Sequence, residues 1–142
     1  NELSGERNVV LGGLAMGLTP EQVRERYDDI VEFAGIGEFI ELPMRTYSSG
    51  MGARLRFAIA ASATHRILLV DEALAVGDAD FQRRSEKRIN ELRAQAGTVF
   101  LVSHSLKAVQ DTCERTIWID KGTLRMDGPS NEVIAAYNET VK

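Results

Sequence analysis

Two carboxylates, Asp71 and Glu72, directly follow the apolar run Ile67-Leu68-Leu69-Val70. Such a short continuous run is the form a strand takes when both its faces are covered, as in a parallel sheet. The carboxylates then stand where the strand emerges, and open α/β sheets bind ligands outside those carboxyl ends. One carboxylate there can hold a hydrated Mg²⁺, while its neighbour orients or deprotonates a water aimed at a phosphate. Taken alone, the pair fits an ordinary strand end equally well. A second run, Val99-Phe100-Leu101-Val102, is followed by Ser103-His104-Ser105. If the two strands are parallel, His104 and Glu72 face one cleft; His65 precedes a strand at the opposite edge and reads as structural. A third element, Tyr47-Ser48-Ser49-Gly50-Met51, offers hydroxyls, free amides and the positive end of a helix dipole, which together suit a phosphate. In isolation it is an ordinary N-cap. The combination of the three is far more specific than any one of them.

The elements that must position these residues are readable from spacing. Thr19-Pro20-Glu21-Gln22 combines an N-cap, a Pro at the first helical position and a capping-box Gln, so a helix starts at Pro20 and stops at Gly35. Residues 6–16 form an earlier helix that ends near Gly17. Residues 35–42 are a short connector with one helical turn, closed by Pro43. A third helix opens at Ser48 or Ser49 and runs to about Ser62. It is apolar nearly all round beyond Arg56, as a helix buried between layers is. Residues 79–95 carry Phe81, Ser85, Ile89 and Leu92 on one stripe and Arg83, Arg84, Glu86, Lys87 and Arg88 on the other, which reads as a solvated face. With its flanking apolar runs this helix makes a βαβ unit. A helix over 105–113 follows. Strands over 116–120 and 123–127 then flank the two-residue turn Lys121-Gly122, and a terminal helix starts at Gly128-Pro129 and runs through Tyr137.

Composition bounds the partners. The 142 residues are 44% hydrophobic and 27% charged, near globular averages, so disorder and coiled coil are not expected. With 17 Lys and Arg against 21 Asp and Glu, the net charge is −4, and no global electrostatic argument for nucleic-acid binding exists. A single cysteine, Cys113, allows no intrachain disulfide and reads as a small apolar filler in an intracellular chain. No apolar stretch is long enough to span a bilayer.

In order and in kind, these motifs resemble the C-terminal portion of an ABC transporter ATPase, most closely the ATP-binding subunits of bacterial exporters of O-antigen, teichoic acid and related polysaccharides. The resemblance covers essentially the whole chain. Tyr47 to Met51, followed by Arg54, is similar to the ABC signature Leu-Ser-Gly-Gly-Gln, with departures at Tyr47, Ser49 and Met51 and the phosphate-facing Ser48 and Gly50 retained. Residues 67–71 resemble the Walker B strand, with Glu72 in the position of the catalytic carboxylate. Residues 73–80, particularly Ala75-Val76-Gly77-Asp78, resemble the D-loop, and His104 stands at the switch-histidine position.

The fold so implied is α/β: an incomplete P-loop NTPase, RecA-like core with parallel strands and a C-terminal hairpin, preceded by an ABC-type helical subdomain. The domains would be residues 1–64, with the signature, and 65–142, the C-terminal half of the nucleotide-binding core. The resemblance implies ATP and Mg²⁺ as cofactors. Asp71 would hold Mg²⁺ through water, Glu72 would act on the attacking water and His104 on the γ-phosphate. Ser48, Ser49 and Gly50 would meet the partner's ATP, and Asp78 would couple the interface. It further implies a homodimer of ATPase subunits that docks, through the helical start, on an integral-membrane permease at the cytoplasmic face of the membrane. No nucleic-acid partner is expected.

The phosphate-cradling Walker A pattern, Gly-x-x-x-x-Gly-Lys-Ser/Thr, is not in the sequence: lysine stands only at 87, 107, 121 and 142, never after a glycine. Gly12 and Gly17 have its spacing, but Leu18 replaces the lysine. With the abrupt polar start Asn1-Glu2-Leu3-Ser4, this suggests a fragment cut near the Q-loop, inactive alone and inclined to self-associate through open apolar edges. Alternative readings are an ABC-type ATPase of DNA repair or chromosome maintenance, a helicase-type motor, and a non-catalytic module that docks on a membrane subunit.

Overall fold

The computed structural model describes residues 3–71 and 78–140. The elements run α1 (Gly5–Ala15), α2 (Pro20–Ala34), α3 (Ser49–Ala61), β1 (Ile67–Asp71), α4 (Ala79–Gln95), β2 (Thr98–Val102), α5 (Leu106–Thr112), β3 (Arg115–Asp120), β4 (Thr123–Pro129) and α6 (Ser130–Thr140). Two 3-10 turns, Gly37–Glu41 and Met44–Thr46, join α2 to α3. β1 pairs with β2 in a parallel arrangement, and β3 pairs with β4 as an antiparallel hairpin. Among the described residues no helix is long and apolar enough to cross a membrane.

The chain divides into two compact units. The first holds α1 to α4 with the opening residues of β1 and β2; the second holds the closing residues of both strands and everything from α5 to α6. In this division α4 belongs with the helices. Three rings explain why. Phe33 of α2, Phe57 of α3 and Phe81 of α4 lie 5.6 to 5.9 Å apart, centroid to centroid, in stacked and edge-on contacts.

Local chemistry sets the helix ends of this first unit. Thr19 and Gln22 form a reciprocal capping box before α2, and Gly35 ends that helix in the left-handed conformation at φ 61°. Ser4 caps α1 through the Arg7 amide. The core joins Val9 of α1, Ile30 and Ala34 of α2, and Leu55, Ala58 and Ile59 of α3, with Ile36 and Ile40 from the connector. α3 is not buried all round, as its composition suggested: Arg56 and Ala60, one turn apart, are exposed. Its other faces pack on α1, α2 and α4.

Residues 79–95 form a helix as expected, and its buried residues are the predicted stripe of Phe81, Ser85, Ile89 and Leu92. The opposite side is only partly a solvated face. Arg84 donates from Nη1 to the Phe33 carbonyl (3.1 Å) and Arg88 from Nε to the Ala61 carbonyl (2.9 Å). Both carbonyls lie in the last turns of helices, where intrahelical donors run out and a cation is favoured.

Strands β1 and β2 are not covered on both faces. Leu69 is 72% exposed and Val102 60%, and Ile67 and Phe100 share that open face, while Leu68, Val70, Val99 and Leu101 are half-buried. A continuous apolar run records that both faces are apolar; it does not supply the layer that covers them.

In the second unit, Lys121 and Gly122 both have positive φ, 49° and 78°, which is the two-residue turn whose twist suits a hairpin. A bulge between Trp118 and Ile119 leaves Arg125 as the extra residue of β4. Gly128 and Pro129 do not start the terminal helix: they pair with Thr116 and Arg115 as the end of β4, and α6 begins at Ser130. An available antiparallel partner outweighs the preference of Pro for a first helical turn. α6 is held by Val133 and Ile134, both buried, and by edge-on contact of Trp118 with Tyr137 at 5.3 Å.

Candidate functional site

The start of α3 is built from Ser48 outward. Ser48 has extended backbone, and its Oγ accepts from the Met51 amide at 3.2 Å, so the hydroxyl is the helix cap. Ser49 occupies the first helical position, and Ser48 and Ser49 are both exposed. Among the described residues a side chain at Gly50 would meet only the Ser48 Oγ, at 3.9 Å, so none of them covers this turn. The amides of Ser49 and Gly50 lie in the first turn, where helix geometry provides no internal acceptor. The turn thus combines two hydroxyls, amides with no acceptor inside the helix and the positive end of a helix dipole.

Tyr47 fixes the approach to this turn. Its hydroxyl donates to the Phe39 carbonyl at 2.6 Å, and burial pushes its pKa up. The ring packs over the first residue of α1. A Cβ at Gly5 would collide with the Tyr47 hydroxyl and lie 2.7 Å from the Ile40 carbonyl oxygen, so only glycine allows the approach.

Asp78 caps α4: its Oδ1 accepts from the Phe81 amide at 2.8 Å. Its Oδ2 accepts from Arg54 Nη2 at 2.7 Å. These two bonds, the amide first, hold the carboxyl below its usual pKa. Arg54 lies over the Phe81 ring at 5.2 Å, with its side chain only 21% exposed. Both carboxylate oxygens of Asp78 are therefore engaged within its own chain. In the sequence Arg54 stands out only as following the signature-like segment. Its partner lies 24 residues away, and no local spacing points to it.

Asp71 closes β1, and His104 stands two residues beyond the end of β2. Because the strands pair in parallel, both residues come at the same sheet edge, and both are exposed. Ser103 Oγ accepts from the Ser105 amide at 3.1 Å, and Ser105 Oγ caps α5 through the Ala108 amide at 3.2 Å, which fixes the backbone on either side of His104. Glu72 and most of the D-loop-like segment lie outside the described residues. Among the described residues no group of three or more His, Cys, Asp or Glu gathers to hold a metal. An exposed carboxylate at a strand end still fits Mg²⁺, which is usually held by one or two carboxylates and keeps most of its waters. The α3 turn and Asp78 belong to the first compact unit, Asp71 and His104 to the second.

No family model matches the chain. It is 46% identical over 141 residues to the teichoic acids export ATP-binding protein TagH of Bacillus cereus, covering 99% of this chain and 26% of that protein. It is 42% identical over 140 residues to the O-antigen export system ATP-binding protein RfbB of Myxococcus xanthus, covering 99% of this chain and 32% of that one. A solved ATP-binding subunit of an ABC transporter superposes with a TM-score of 0.77 at 20% identity, over 96% of this chain and 57% of that structure. The chain is a homologue of ABC export ATP-binding proteins. It spans about a quarter to a third of the length of the two curated relatives named above. Its fold is that of an ABC ATPase. On that fold the signature-like segment opens the helix α3, the Walker B-like run is β1, the last residue of the D-loop-like Ala75-Val76-Gly77-Asp78 caps α4, and the switch-like histidine follows β2.

Proposed function

We propose that these 142 residues are the signature-bearing and Walker B-bearing part of an ATP-hydrolysing subunit that powers export of a cell-surface polysaccharide of the teichoic-acid or O-antigen kind. The observation that carries this reading is identity of 42% or more, across nearly all of the chain, to two proteins both named for export of such polymers. The open, twice-hydroxylated first turn of α3 supports it independently, because that turn is suited to a phosphate whichever protein supplies the nucleotide.

In this reading two subunits pair, and the Ser48, Ser49 and Gly50 turn of one donates hydroxyl and amide hydrogens to phosphate oxygens held by the other. Asp71 would hold the cation through its waters, Glu72 would orient the attacking water and take up its proton, and His104 would act on the terminal phosphate. Bound MgATP would supply the anhydride bond and a cation that offsets phosphate charge; the rest would be positioning and charge stabilisation by the protein. The phosphate-cradling loop is not within the 142 residues, so this reading requires it from sequence outside them, and the 142 residues alone turn over no ATP. The subunit would work at the cytoplasmic face of the membrane against an integral-membrane permease.

Co-purification tests this against the nucleic-acid alternative. A tagged polypeptide carrying these residues and a Walker A loop should retain an integral-membrane protein through detergent extraction and should shift no DNA in a binding assay. DNA binding without a membrane partner would overturn the proposal.

A further inference from the structure

We infer that Arg54 is a positioning residue for the phosphate-facing turn of α3, acting through Asp78; the inference rests on the ATPase reading above. Arg54 lies six residues beyond the Ser48 cap, about 9 Å along the helix axis. On its far side it meets two fixed acceptors, the Asp78 carboxylate at 2.7 Å and the Phe81 ring at 5.2 Å. Asp78 is itself fixed, since its other oxygen caps α4 at 2.8 Å. At the opposite end of α3, Arg88 of α4 grips the Ala61 carbonyl and Arg26 of α2 grips the Ser62 carbonyl. α3 is therefore held at its C-terminal end by Arg88 and Arg26, while Arg54 holds the half that carries Ser48, Ser49 and Gly50, which Tyr47 approaches from the preceding loop. An exposed surface ion pair would set little geometry. Arg54 differs because its side chain is mostly buried and stacked on a ring, so the guanidinium has one place to be.

Loss of this pin lets the first turn of α3 tilt, and small misplacements of positioning groups are felt mainly in the transition state. Arg54 and Asp78 should then act as one unit. The test is steady-state ATP turnover by the Walker A-containing polypeptide, with Arg54→Gln, Asp78→Asn and the double variant. Asn is as good an N-cap as Asp, so Asp78→Asn keeps the helix start and removes the ion pair. Each single variant should lower kcat and kcat/KM together by about tenfold, and the double variant should be no worse than either single. The thermal midpoint of Asp78→Asn should stay within about 2 °C of the parent. Unchanged turnover in Asp78→Asn, or single losses that multiply in the double variant, would overturn the inference and leave the ATPase reading standing. A parent protein with no turnover would overturn the ATPase reading and this inference with it.

Discussion

Arg88 of α4 donates from Nε to the carbonyl of Ala61, the last residue of α3, at 2.9 Å. Arg84, one turn earlier, does the same for Phe33 near the end of α2, and its guanidinium lies 5.5 Å from the Phe33 ring centre. These arginines cap two helices from a third, which ties α4 into the helical unit. Arg88→Ala should therefore destabilise that unit by about 1 kcal/mol, the net worth of a hydrogen bond to a partly exposed charge. A urea-unfolding midpoint equal to that of the parent would show that water replaces the guanidinium at no cost.

Ser85 makes the opposite prediction. It is 1% exposed, faces the apolar stripe of α4, and its hydroxyl has no hydrogen-bond partner among the described residues. Ser85→Ala removes a desolvated polar group and improves helix propensity, so stability should rise by about 1 kcal/mol. A lower melting temperature in Ser85→Ala would contradict the burial argument.

The hairpin carries a pH-dependent contact. Arg115 grips Asp127 with two bonds, Nε to Oδ1 and Nη2 to Oδ2, both 2.7 Å, and these hold the Asp127 carboxyl below its usual 3.8. A carboxyl lowered by folding adds stability that is present above the unfolded value and is lost as pH falls through the folded value. Asp78, also lowered, acts in the same direction. Stability should thus fall on acidification below about pH 4. The fall should be shallower in Asp127→Asn, and equal acid slopes in the two proteins, measured by chemical unfolding, would contradict the assignment.

The open face of β1 and β2, with Ile67, Leu69, Phe100 and Val102 half to three-quarters exposed, is a sheet surface that water does not favour. The 142-residue chain should self-associate in sedimentation as concentration rises. Substituting Leu69 and Phe100 by Thr should shift it toward monomer. A stable monomer at high concentration would show that the face tolerates water.

What the sequence made legible was local. Thr19 with Gln22, Ser48, Gly35 and the Lys121-Gly122 pair each set backbone geometry through atoms within a few residues, so helix starts, a stop and the hairpin turn were readable. The stripe of α4 was readable because its period is the helix's own. The contacts of Arg54, Arg84 and Arg88 were not, because their partners lie 24, 51 and 27 residues away. Charge alone suggested solvent for Arg84 and Arg88. The bareness of one face of β1 and β2 was hidden for a related reason: residue type reports what a surface prefers, while cover depends on distant chain. The candidate site divides in the same way. That Asp71 ends a strand, that His104 follows one and that Ser48 caps α3 was readable from local sequence. The use of Asp78 as the anchor for Arg54 emerged only in three dimensions.

ATP turnover by the Walker A-containing polypeptide that carries these residues, compared with its Glu72→Gln variant, tests the proposed ATPase function most directly. The parent should hydrolyse ATP, and Glu72→Gln should bind ATP yet lose turnover by at least about a hundredfold, as removal of a general base does. Turnover that survives Glu72→Gln unchanged, or a parent that never hydrolyses ATP, would contradict that function.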